Sequence, residues 1–156
     1  MRLSHLPLRL TTGAFILNTG LSRRDLTAEA AQGMQSMAAA SVPQLGTMPP
    51  ERFAKVLSTG EVALGAALLT PFVSPVVAGA GLAGFSAALL RMWWRTPGMH
   101  EEGSLKPTQQ GTAVAKDVWL LGTGLALMAD GVIDGARRAA RRTGKKASGL
   151  REALPV

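Results

Sequence analysis

The stretch STGEVALGAALLTPFVSPVVAGAGLAGFSAALLR (Ser58–Arg91) contains no charged residue between Val62 and Leu90. A core strand of a soluble protein needs about 5 residues and a core helix about 11 to 12. An uncharged run of this length exceeds both. A helix that crosses a membrane needs about 20 mainly apolar residues. The run is therefore too long for one span, and it carries Pro71 and Pro75. Each proline removes a helical hydrogen bond and disfavours helical geometry in the residue before it. The stretch predicts a hairpin: a helix from about Phe53 to Thr70, a tight turn at TPFVSP, and a second helix from about Val76 to Trp94. Glu61 stands at the edge of the uncharged run.

The composition agrees with lipid as the solvent. Charged residues make up 17% of the 156 residues and apolar residues 47%, against roughly 25% charged in ordinary soluble domains. Gly and Ala are abundant, which suits closely packed helices in a bilayer. The chain has no Cys, so it offers no disulfide, thiolate nucleophile or Cys metal site. His5 and His100 are too few and too far apart to predict a metal site. GAGLAG (Gly79–Gly84) has the form of a dinucleotide-binding loop. It lies inside an apolar span with no preceding strand, which is the wrong context.

Two further segments flank the hairpin. Leu6–Ser22 is uncharged from Leu10 onward, and Gly111–Asp134 is uncharged from Val118 to Ala129. Each reaches spanning length if its flanking charges pair or reach the interface. A basic start before an apolar stretch also fits a signal peptide, but SRRD follows at once, a poor cleavage context. The expected architecture is all-α: an integral membrane four-helix bundle, with spans at about 6–22, 53–71, 76–94 and 112–133 in a domain covering 1–134. In the first long loop Leu26, Ala30, Met34, Met37 and Ser41 recur at helical spacing. They predict a short interfacial helix, with an alanine-rich linker as the alternative.

The net charge of +7 belongs to the end of the chain. Residues 135–156 hold seven basic residues and one acid, which leaves +1 for the remainder. Basic flanks favour the cytoplasmic side, so both termini and the Pro71–Pro75 connector are expected inside, and loops 23–52 and 95–111 outside. Arg137, Arg138, Arg141, Arg142, Lys145 and Lys146 form a ribbon on a helix. It reads either as a topology anchor or as a contact for anionic lipid. Nucleic-acid binding is not expected, because no aromatic residues or reading module accompany the ribbon.

Depth along the spans, at 1.5 Å per residue, sorts the polar residues into two groups. Asn18, Glu61, Arg91, Lys116 and Asp117 fall in the outer half of the bilayer, and Glu61 is expected to pair with Arg91 or Lys116. On the inner side Arg9 lies level with Asp130, and Asp134 is within reach of Arg137 or Arg138. The outer cluster reads as an ion-pair clasp, or alternatively as a proton, quinone or small-substrate site. Trp93 and Trp94 read as interfacial belt residues.

RLTTGAFILNTGLSR (Arg9–Arg23) and GEVALGAALL (Gly60–Leu69), with the hairpin that follows, resemble the DoxX-like family of small four-helix bacterial membrane proteins. The resemblance covers most of 6–133. It implies residence in the bacterial cytoplasmic membrane and association with quinone-linked or stress-responsive oxidoreductase assemblies, with Arg9 and Glu61 as the family-type polar pair. The depth argument places those two toward opposite leaflets. With no nucleophile–base spacing, independent catalysis is not expected, and a metal is not implied. The leading expectation is a scaffolding or anchoring subunit of a membrane oxidoreductase assembly. The alternative is a quinone-linked subunit using the outer cluster. A homo-oligomer is compatible with both.

Overall fold

The computed structural model describes residues 5–152, with side chains through Thr143. Lys145 and Lys146 of the basic ribbon therefore lie outside the described side chains. Among the described residues all regular structure is helical, apart from one isolated antiparallel bridge between His100 and Pro107.

The helices start and stop where their caps dictate. Helix α1 spans His5–Ser22 and runs into a 3-10 turn at Arg23–Asp25. Helix α2 spans Ala28–Ser41, and the Thr27 hydroxyl caps it by accepting from the Ala30 amide. Helix α3 spans Pro50–Leu69, and α4 spans Pro75–Arg95. Both open on proline, whose missing N–H costs nothing in a first turn. The Ser74 hydroxyl caps α4 by accepting from the Val77 amide. The hairpin predicted around Thr70–Pro75 is thus present, with α3 starting before Phe53 and ending short of Pro71. Helix α4 has 21 residues, about 31 Å of helix, close to the thickness of a bilayer's hydrocarbon layer.

The last segment differs from expectation. Thr112–Ala115 forms a short helix α5, and α6 begins at Val118. Tight turns bridge the break, with the Asp117 amide donating to the Val114 carbonyl and the Trp119 amide to Lys116. Helix α6 then continues to Glu152 without a joint at residue 135. No Gly or Pro forces a stop there: Gly135 is tolerated mid-helix, and Ala and Arg favour helix.

Packing joins α1 to α3 and α4 to α6, and one apolar core ties the two pairs together. Ile16 of α1, Leu68 of α3, Leu82 of α4 and Leu127 of α6 are each buried in it. Close approach depends on glycine. A methyl group at Gly65 would lie 2.6 Å from the Leu17 backbone nitrogen, and one at Gly79 would lie 2.6 Å from the Gly124 carbonyl oxygen. Small residues recur four apart on α4: Gly79 and Ala83 face α6, whereas Ala80, Gly84 and Ala88 face outward.

Helix α2 packs on α3 and α4. Its buried residues are Ala31, Gln35 and Ser41, so of the predicted face Ser41 is buried, Leu26, Met34 and Met37 are half-buried and Ala30 is exposed. The Gln35 amide holds the following loop by donating to the Leu45 carbonyl at 2.8 Å and to the Met48 carbonyl.

Two stretches among the described residues are long and apolar enough to cross a membrane: Pro75–Arg95 and Thr112–Thr143. Only 33% of the apolar window of the first and 11% of the second is buried inside the protein. A soluble core helix would be mostly covered, whereas much of the apolar surface of these two stretches lies outside the core.

Candidate functional site

Buried polar side chains of the α1–α3 pair include Ser58 and Glu61 toward one end and His5 and Arg9 toward the other. At one end α1 closes on α3 through Gly20. A methyl group there would lie 2.8 Å from the Val62 amide nitrogen, and the Ser58 hydroxyl donates to the Gly20 carbonyl at 2.7 Å. This approach brings the turn after α1 over Glu61, and Arg23 Nη1 donates to Glu61 Oε1. Glu61 is 1% exposed, and its Oε2 has no partner among the described residues. Burial lowers the Arg23 pKa, opposed by the nearby Asp117 carboxylate. Two acids therefore act on one guanidinium.

This differs from the expected outer cluster. Glu61 pairs with Arg23, not with Arg91 or Lys116. Asn18, Arg91 and Lys116 are all exposed, and only Asp117 shares the Glu61–Arg23 neighbourhood. The cause is the 3-10 turn: it carries Arg23 back toward α3, while Arg91 and Lys116 project outward from their own elements.

At the opposite end Arg9 is 1% exposed. Its Nε donates to the Leu68 carbonyl at 2.6 Å and Nη1 to Val73 at 3.0 Å. Nη2 donates to Ala67 at 2.8 Å and to Thr70 at 2.7 Å. The last turn of a helix leaves carbonyls without intrahelical donors, and here Pro71 removes the next amide. A guanidinium supplies five donors in a planar fork and puts positive charge at the negative end of the helix dipole. Arg9 thus caps α3 and pins the connector. It does not pair with Asp130, whose Oδ2 instead lies 3.0 Å from His5 Nε2. His5 is also 1% exposed, and its Nδ1 has no partner among the described residues. Asp134 is buried on α6 one turn beyond Asp130, while Arg137, Arg138, Arg141 and Arg142 are exposed.

Arg9, His5, Asp134 and Arg138 line a cavity of about 250 Å³ beside the connector, with Phe72 and Val73 among its apolar walls. Sequence reasoning missed His5 and Arg23. His5 precedes the uncharged part of α1, and Arg23 lies in the 23–52 loop, where Arg23, Arg24 and Arg52 balance Asp25, Glu29 and Glu51. The only available signal for Arg23 was its place one turn beyond Gly20.

Of the two tryptophans expected at an interface, Trp93 is buried and its Nε1–H donates to the Met99 carbonyl at 3.1 Å. Trp94 is exposed and stacks on His100, with centroids 4.5 Å apart and planes 11° apart. Trp93 thus anchors the 96–111 loop instead of facing an interface. No group of three or more His, Cys, Asp or Glu residues among the described residues is placed to hold a metal. Comparison with protein-family models, with curated proteins and with solved structures found no match.

The Arg23–Glu61 contact makes a direct prediction. Glu61→Gln keeps the shape but leaves Arg23 without its main counter-charge, and should cost about 1–2 kcal/mol of stability. Arg23→Gln added to Glu61→Gln should recover part of that loss, because the stranded cation is then gone. Thermal unfolding of the single and double variants in detergent measures this coupling. Additive losses would contradict the pairing.

Proposed function

We propose that this chain is a four-span membrane protein that scaffolds or anchors a membrane-associated oxidoreductase or stress-response assembly, without chemistry of its own. One observation carries the membrane part: charged and polar side chains share the interior with the apolar core, while many large apolar side chains lie on the outside. Arg9, His5, Glu61, Ser58 and Ser86 are buried, while Leu10, Phe15, Val56, Val77, Trp119, Leu125 and Val132 are exposed. The exposed apolar residues come from α1, α3, α4 and α6 alike. That pattern suits lipid around all four long helices, with polar groups turned inward. Of the charges on α1 and α3, Arg9 and Glu61 are buried, whereas Glu51, Arg52 and Lys55 lie exposed in the first turns of α3.

The scaffold role rests on two supports. The buried ionic groups are committed to structure: Arg9 to helix capping, Glu61 to Arg23 and His5 to Asp130. The resemblance of Arg9–Arg23 and Gly60–Leu69 to DoxX-like proteins supplies the kind of assembly and the bacterial cytoplasmic membrane. The positive-inside rule, applied to the basic C-terminal segment, supports a cytoplasmic C-terminus and, with four spans, a cytoplasmic N-terminus. A quinone site built from Glu61, Arg91 and Lys116 would need side chains that converge. The exposure of Arg91 and Lys116 favours the scaffold over that alternative.

Affinity purification of the tagged chain in mild detergent tests the role. Oxidoreductase or stress-response subunits should co-purify in stoichiometric amounts. A chain that always runs without partner proteins would overturn it.

A further inference from the structure

Helix α6 runs on past the helix it packs against. Gly131 lies against Pro75 and Val76, the first turn of α4, and α6 continues to Glu152. At the rise of an α-helix, Arg137 and Arg138 stand about 9–11 Å past that level, and Arg141 and Arg142 about 15–17 Å. All four are exposed, and none has a hydrogen bond or ion pair with another described residue. Residues 135–143 (GARRAARRT) contain no acid. The nearest one along the helix, Asp134, is buried two turns below Arg141 and Arg142. Arg137 and Arg141, like Arg138 and Arg142, are neighbours of like charge one turn apart, which weakens a helix that has no external counter-charge. The other side of this stretch is Gly135, Ala136, Ala139, Ala140 and Thr143, all exposed. It has no large apolar side chain, so it lacks the face that holds a helix flat on a membrane surface.

Depth separates the two arginine pairs. With α4 spanning the bilayer, its first turn marks the inner edge of the hydrocarbon layer, and the headgroup layer adds roughly 5–7 Å. Side chains on a helix lean back toward its start, so Arg137 and Arg138 reach the headgroups. The backbone at Arg141 and Arg142 stands about 8–10 Å beyond them. We propose that this extension of α6 is a docking arm for a partner protein, on which Arg141 and Arg142, backed by Arg137 and Arg138, receive carboxylates one helical turn apart on an acidic helix of the partner. Successive arginine pairs are about 6 Å apart along the axis, the same rise that separates Glu residues at i and i+4 of another helix. A guanidinium takes a carboxylate in a two-pronged fork, and each carboxylate so placed relieves the repulsion along the ribbon. The proposal rests on the scaffold reading above and supplies the surface by which the assembly is held.

The test uses the full chain in nanodiscs and two fluorescent helical peptides of equal composition. One carries its Glu residues at i, i+4 spacing on one face, and the other has the same residues spread around the helix. In phosphatidylcholine nanodiscs at physiological salt the one-faced peptide should bind the more tightly. The double variant Arg141→Gln, Arg142→Gln should weaken its binding about tenfold, as expected for lost charge-assisted contacts. Gln is a good helix former, so the arm keeps its form. The gap between wild type and variant should persist in phosphatidylglycerol nanodiscs. Equal binding by wild type and variant, or by the two peptides, overturns the docking arm. A gap that vanishes in phosphatidylglycerol shows lipid on the ribbon, and tighter binding of a single-stranded oligonucleotide of equal charge shows a nucleic-acid surface; either overturns a protein partner. The co-purification test and this one fail separately. Peptide recognition without co-purifying subunits keeps the arm and overturns the assembly, and the reverse overturns the arm alone.

Discussion

Arg9→Met should lower the stability of the protein by about 3–4 kcal/mol, the scale of breaking a buried charged network. For a chain of this size that is a fall in Tm of about 10 °C. The substitution nearly preserves volume, so packing around Ile16 and Leu68 should hold. The loss comes from the carbonyls of Ala67, Leu68, Thr70 and Val73, which the guanidinium joins in one fork. The chain has little to replace it, because Pro71 and Pro75 bring no amide to the connector. Arg9→Lys is the informative companion. An ammonium keeps the charge but is a point donor that cannot span four acceptors, so about half the loss should remain. Thermal unfolding in detergent ranks wild type, Lys and Met in that order. If Met unfolds with wild type, the capping account is wrong.

The second large effect is at Gly65. Gly65→Ala places a methyl group 2.6–2.7 Å from the backbone and Cβ of Leu17, so α1 must move away from α3. Overpacking of this kind costs about 1–3 kcal/mol, and because backbone cannot swing aside the upper end is expected. Gly60→Ala, five residues earlier on the same helix, meets nothing within 4 Å. It should be neutral, or stabilising by up to about 1 kcal/mol from helix propensity. The contrast separates close packing from any general sensitivity of α3 to substitution. Equal losses at the two positions would contradict the α1–α3 contact.

The elements that the sequence revealed are those set by local chemistry. The uncharged run of Val62–Leu90 with two prolines defines the α3–α4 hairpin, since proline geometry acts on its own neighbours. Helices α1 and α6 were visible as apolar segments, although α6 starts later and runs further than the expected 112–133. The break at Lys116–Asp117 was not, because it depends on the turn hydrogen bonds of residues 112–119. The sites were less legible. Glu61 stood out as a charge at the edge of an apolar run, but its partner Arg23 was hidden among loop charges until Gly20 brought α1 against α3. The partners of Arg9 are main-chain carbonyls, which no pattern of side chains announces. Depth counting paired Arg9 with Asp130 because it orders residues along the membrane normal and ignores which helix face they occupy.

The central claim is that lipid covers the outward faces of α1, α3, α4 and α6. The absence of Cys allows single cysteines to be introduced and spin-labelled one at a time in reconstituted bilayers. Labels at Phe15, Val56, Val77 and Leu125, all exposed apolar positions, should collide freely with dissolved oxygen and rarely with a water-soluble nickel chelate. High nickel-chelate accessibility at these four positions, equal to that of a label at exposed Glu102 in the 96–111 loop, would show water on those faces and contradict the claim.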